Sequence, residues 1–176
     1  MDMLFAALPP PASAWGLCET YLENAAYGTR PLSRTDIIEG TLVPVYAARD
    51  ARSRAFAYPL QPSADTGSEE EAISPDMFAV LYLVFAQGVL VDLTLPPCAP
   101  EGERFHHYAC IALALRNLFD APTTETVQAL LMMAHYRSGV GQRYKQDSVW
   151  ALMSLGCKLA QSVRTICLST SSSIFC

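Results

Sequence analysis

From Met77 to Val91 the chain runs without one charged side chain, between Ser74 and Pro75 on one side and Pro96, Pro97 and Pro100 on the other. A run of that character has to be buried, and its length limits where. A bilayer core demands roughly 18 to 20 apolar residues, more than this run offers, and Gln87 and Gly88 interrupt it. The reading is a helix at the centre of a helical bundle, apolar all round because neighbours cover it on every side. Ser74 stands where an N-cap belongs and Pro75 at the first helical position, with the apolar face reaching from Met77 to Leu93.

The remaining segments are read around that centre. Residues 1–7 are read as an N-terminal lead-in that Pro9, Pro10 and Pro11 stiffen, and Ala14, Trp15, Cys18, Leu22 and Ala25 then recur at helical spacing. Ser33, three residues before Asp36, starts a short second helix that Pro44 is expected to disturb. Residues 47–73 lose their apolar period, carry Pro59, Pro62 and Gly67, and end near Glu69, Glu70 and Glu71, which reads as an exposed loop.

A fourth helix is expected over Glu101–Phe119, with Phe105, Tyr108, Ala112, Leu115 and Phe119 inward and His106, Leu113 and Asn117 elsewhere. Pro122 and Thr123 open a fifth, where Val127, Leu130, Leu131 and Ala134 share a face. Gly139 and Gly141 close it at a position suited to positive φ. A sixth begins near Asp147, with Trp150, Met153, Cys157 and Ala160 read as inward and Ser154, Lys158 and Gln161 as outward. On that phase, truncating Trp150 to alanine is expected to cost about 3 to 5 kcal/mol. Beyond Ser162 the period fails, and 163–176 is read as an unstructured tail. The fold class is therefore all-α, an antiparallel array of about six helices.

Hydrophobic residues make up 51% of the 176-residue chain and charged residues 16%, enough apolar material for one core. The net charge of -5 has the wrong sign for neutralising phosphates, and Arg49, Arg52, Arg54, Arg137, Arg143 and Lys145 are read as solvated. Cysteines stand at 18, 98, 110, 157, 167 and 176 with no close pair to grip zinc, and are read as reduced, buried apolar thiols. The start, Met1–Leu8, has no secretory signal pattern. His106 and His107 diverge by about 100° on a helix, and His135 lies on another. Ser169–Ser172 occupy no Gly-x-Ser-x-Gly elbow, and Asp92 and Asp120 end separate helices rather than facing one another. No catalytic, cofactor-binding, metal-binding or DNA-binding residue is nominated, and the chain is read as a non-enzyme.

The order of residues from Leu8 onward resembles the fungal-specific transcription factor domain, the middle regulatory region of fungal binuclear zinc-cluster factors. Leu8, Pro9 and Pro10 followed by Trp15–Leu22, with Glu19, Thr20 and Tyr21, look like its first helix, and Pro31, Pro44, Val45 and Tyr46 like its next turns. Leu83–Ala86, Gly88, Asp92 and Leu93 are similar to its core helix. Thr126–Leu131, then Tyr136, Gly141, Trp150, Gly156 and Leu159–Gln161, resemble the family's signature run.

The resemblance covers most of 8–162 and implies a nuclear role in transcription, modulating an activator through protein partners or a small-molecule effector, with no membrane. It implies that zinc and DNA contact belong to a cysteine-rich cluster in a parent factor, not to these residues. It also implies a domain truncated at both ends, because the family continues past Gln161 with a Leu-Gly-Leu-His-Arg type sequence and this chain reads Ser162, Val163 and Arg164. Valine codons begin with the bases that open most introns, so 163–176 is expected to be read-through. A stand-alone helical interaction module is the runner-up reading, and a small helical enzyme using His135 or a cysteine is a third.

Overall fold

The computed structural model describes residues 1–25, 32–57, 73–119 and 121–172. Among these the fold is all-α: α1 (Asp2–Ala6), α2 (Pro11–Asn24), α3 (Arg34–Ile37), a π-helical turn (Ile38–Leu42), α4 (Val43–Ala57), α5 (Pro75–Val91), α6 (Pro100–Ala114), α7 (Thr124–Gly139) and α8 (Gln146–Ser172).

Local chemistry explains most of the starts. Ser33 forms a reciprocal capping box with Asp36, and the Ser74 hydroxyl accepts from the Met77 amide with Pro75 at the first turn. Thr123 caps α7 by the same device, accepting from the Thr126 amide. α7 ends through Val140 into Gly141, whose φ of 72° is the left-handed conformation expected there.

α5 is the hub. From Phe78 to Val89 every side chain is buried, and each large one that leaves water contributes about 1.5 to 3 kcal/mol. Its two interruptions have specific work. Gln87 donates from Nε2 to the Met132 carbonyl of α7 at 2.9 Å. Gly88 lies so close to α2 that an added Cβ would stand 2.5 Å from the Leu17 carbonyl oxygen. No helix among the described residues is long and apolar enough to cross a membrane.

The helix directions follow from side-chain partners. Asp76 meets Arg116, the Tyr82 ring meets Phe105 and Tyr108, and Gly102 lies against Ala86 and Val89, so α5 and α6 are antiparallel. Asp76 also meets Thr126 while Gln87 meets Met132, so α5 and α7 run parallel. α8 returns antiparallel on α7, with Gly156 beside Leu130 and Leu131. From α5 to α8 neighbours in sequence thus alternate in direction as expected, while the direct α5–α7 pair is parallel.

Several expectations are corrected. Residues 1–7 are no mere lead-in: Leu4 of α1 is fully buried and the Tyr82 hydroxyl donates to its carbonyl at 2.5 Å. On α2, Trp15 is 44% exposed and Tyr21 takes the inward place beside Ala14, Cys18 and Leu22. The helix begun at Ser33 is not short, although the disturbance expected near Pro44 is present as the π-helical turn. A proline ring collides with the carbonyl four residues back, and the widened turn at Ile38–Leu42 directly precedes it. The added residue is where the helix absorbs that conflict. It then continues through Ala57, so 47–57 is helix rather than loop; 58–72, including Glu69–Glu71, lie outside the described residues.

α6 stops at Ala114, leaving Leu115 and Phe119 exposed and burying His106 and Leu113 instead. Among the described side chains of α8 the buried positions are Val149, Gly156 and Leu159, with Leu152 half-buried, while Trp150 is 63% exposed. The inward stripe is thus one residue out of phase with the one expected. The backbone of α8 stays helical through Ser172, past the expected break at Ser162, and 173–176 lie outside the described residues.

Candidate functional site

Two polar clusters stand out, both built where α6 approaches α7. The first is a clamp on a carboxylate that water does not reach. Asp76, in the first turn of α5, is fully buried. Its Oδ2 accepts from Arg116 Nη1 at 2.5 Å, Thr123 Oγ1 at 3.0 Å and Thr126 Oγ1 at 2.9 Å. Arg116 Nη2 donates to the Ala121 carbonyl at 2.7 Å. Asp76 Oδ1 is buried with no hydrogen-bond partner. One carboxylate thereby ties the start of α5, the α6–α7 connection and the cap of α7 together. Removing one partner of such a buried pair is costly because the other charge is left uncompensated.

The second cluster centres on His106 of α6, which is 3% exposed. Arg137 Nε donates to His106 Nε2 at 3.2 Å. Arginine has only donors, so Nε2 is the accepting nitrogen and Nδ1 carries the proton. Nδ1 then donates to Tyr144 Oη at 3.3 Å, and that hydroxyl donates to Glu103 Oε1 at 2.6 Å. The Tyr136 ring stacks on the imidazole at 5.0 Å, and the Arg137 guanidinium lies over Tyr144 at 4.9 Å. Glu103 Oε2 is buried without a hydrogen bond, its nearest cation being Arg143 Nη1 at 3.7 Å.

Burial, reinforced by Arg137 and opposed by Glu103, pushes His106 down to about 4. Both ring nitrogens are engaged and the ring is neutral at ordinary pH, so its lone pair is not offered to a substrate proton. Cys110 Sγ lies 4.0 Å from His106 Nε2, but burial raises that thiol, opposite to the shift an activated nucleophile needs. The cluster joins α6, the end of α7 and the turn that carries Tyr144.

The remaining singled-out residues are dispersed. His107 and His135 are exposed, on α6 and α7 respectively. Cys98 and Cys157 are exposed and Cys18 is buried, its thiol pushed up to about 12 by burial and then by Glu19. Among the described residues no group of three or more His, Cys, Asp or Glu could hold a metal ion. Asp92 caps the end of α5 and accepts from Thr94, which lowers its carboxyl; Asp120 lies outside the described residues. Arg49 and Arg52, read as solvated, lie on α4 over the Tyr46 and Phe5 rings, and Arg52 also pairs with Asp2.

Asp76, Glu103, Arg116 and Tyr144 escaped the sequence reading. An aspartate in a first turn reads as a generic dipole partner, and nothing local announces an arginine 40 positions away. Comparison with protein-family models, curated proteins and solved structures returned no match to this chain.

Proposed function

We propose that this chain is part of the regulatory region of a fungal zinc-cluster transcription factor and acts in the nucleus through protein contacts. The reading rests on the order of residues in 126–161. What supports it physically is that the two segments richest in resemblance pack together: a Cβ on Gly156 of α8 would meet Leu130 and Leu131 of α7 at 3.8 Å. In this reading DNA contact and zinc belong to a cysteine-rich module of the parent factor, and these residues modulate its output by binding protein partners or a small-molecule effector.

The test is a fusion of the chain to an unrelated DNA-binding domain, with a reporter read in a filamentous fungus. The fusion is expected to raise or lower expression relative to the DNA-binding domain alone. Equal expression from the two, at equal protein level, sinks the proposal. A second reading, a helical interaction module with no DNA-binding partner domain, is favoured by one observation: Trp150, Met153 and Cys157 line an exposed stripe of α8. The genomic sequence upstream separates the two, since clustered cysteines with a basic segment in frame belong to the first alone. Spliced transcripts across the Val163 codon test the expected read-through.

A further inference from the structure

Beneath the α6–α7 connection lies a groove of about 380 Å³, within the size range of small-molecule sites. Its walls are apolar: Leu113 from α6, Leu118 from the connection, Leu130 and Met133 from α7, Leu152 and Leu155 from α8. Leu113, Leu130 and Met133 are buried, so the floor belongs to the core, and Phe119 stands at the rim 71% exposed. The groove lies open at the surface, where α6 ends at Ala114 and α8 packs on α7.

The end wall is held by the Asp76 clamp. Arg116 lines the groove while Asp76 and the Ala121 carbonyl fix its guanidinium. Five N–H donors are present on an arginine, and those two bonds leave others for a ligand; the side chain is 27% exposed. No carboxylate lines the groove among the described residues. The site thus combines an apolar trough with one fixed guanidinium donor whose charge is balanced by Asp76 behind it, and its geometry is set before anything binds, which lowers the cost of binding.

We propose that this groove binds an apolar organic anion, its aryl or aliphatic body against Leu130, Leu152 and Leu155 and its acidic head accepting from Arg116. The proposal stands on this chain's geometry whether or not the chain serves in transcription. It also separates the groove from the Trp150 stripe, which lies on another face of α8.

The test uses anilinonaphthalene sulfonate as probe and N-phenylnaphthylamine as its uncharged counterpart, with the full chain. The sulfonate is expected to saturate at one per chain and to bind more tightly than the neutral amine by about tenfold, the yield of one charge-assisted hydrogen bond. Ala114→Trp, at an exposed position on the groove wall, is expected to weaken the sulfonate by at least about tenfold. Leu155→Trp plugs the same groove from α8 and is expected to act likewise. Trp150→Ser with Met153→Ser is expected to leave binding unchanged. Undiminished binding to both plugged variants, or loss in the stripe variant instead, overturns the proposal. Equal affinity for the two probes overturns the role of Arg116. A concentration-dependent dimer abolished by Ala114→Trp assigns the groove to a second copy and overturns it too.

Discussion

α5 and α8 are both rich in apolar residues, yet they are determined in different ways. α5 is covered on every side, so the phase of its sequence hardly matters: whichever way it rotates, an apolar side chain faces a neighbour. α8 touches α7 along one stripe and carries two candidate stripes, one through Val149, Leu152, Gly156 and Leu159 and one through Trp150, Met153, Cys157 and Ala160. The heavier second stripe looks like the buried one. The lighter first stripe is the buried one, with Gly156 lying beside Leu130 and Leu131 of α7. Rank by hydrophobicity fails where the fit of one helix surface to another decides.

Substitutions at paired positions on the two helices can break this comparison. Gly88→Ala on α5 sets a methyl 2.5 Å from a backbone oxygen of α2, an overlap that no rotamer relieves. It is expected to destabilise by about 3 kcal/mol in denaturant melts, the upper end for overpacking. A loss below about 1 kcal/mol would mean that α2 yields and the hub is less tightly enclosed than it looks.

Nearly as large is the pH response of the joint between α6 and α7, which bridges the two regions. The unfolded chain protonates His106 below about 6.5, whereas the fold holds it neutral down to about 4. The unfolded state then binds more protons, so the His106 contribution is complete above pH 6.5 and is lost as pH falls toward 4. It amounts to about 3 kcal/mol. Melts of the native chain and His106→Gln across that window are expected to show a steeper fall for the native chain. Parallel curves would sever the cluster from stability.

On α8 the effects shrink. Trp150→Ala is expected to cost under about 1 kcal/mol, since its indole is 63% exposed; a cost of 3 or more would restore the other phase and overturn the packing of α8 on α7. Gly156→Ala adds a Cβ at 3.8 Å from its neighbours, an ordinary contact, and gains helix propensity. It is expected to stabilise by about 0.5 kcal/mol, opposite in sign to Gly88→Ala, and destabilisation there would place α8 closer to α7 than described.

The candidate sites show the same division. Ser33, Ser74 and Thr123 were legible because a cap reaches an amide within three residues of chain. His106 was read as facing away from the core and Asp76 was passed over, because each owes its place to partners that folding brings from other segments: Arg137 and Tyr144 for one, Arg116 for the other. Pro44 argued for a disturbance, which the π-helical turn supplies, while the lost apolar period after it argued for a loop where the helix in fact continues through Ala57.

By itself the sequence determined the all-α class, the starts of α3, α5 and α7, the left-handed glycine after α7 and the burial of the middle of the Met77–Val91 run, Phe78 to Val89. Each follows from hydrogen bonds and solvation that act over a few residues. The tertiary structure alone decided which stripe of α8 turns inward, that α5 and α7 lie parallel, and that a buried carboxylate and a buried imidazole sit where α6 meets α7. Those outcomes depend on how closely separate helices approach, and a distance between helices is a property of their joint packing rather than of any one segment.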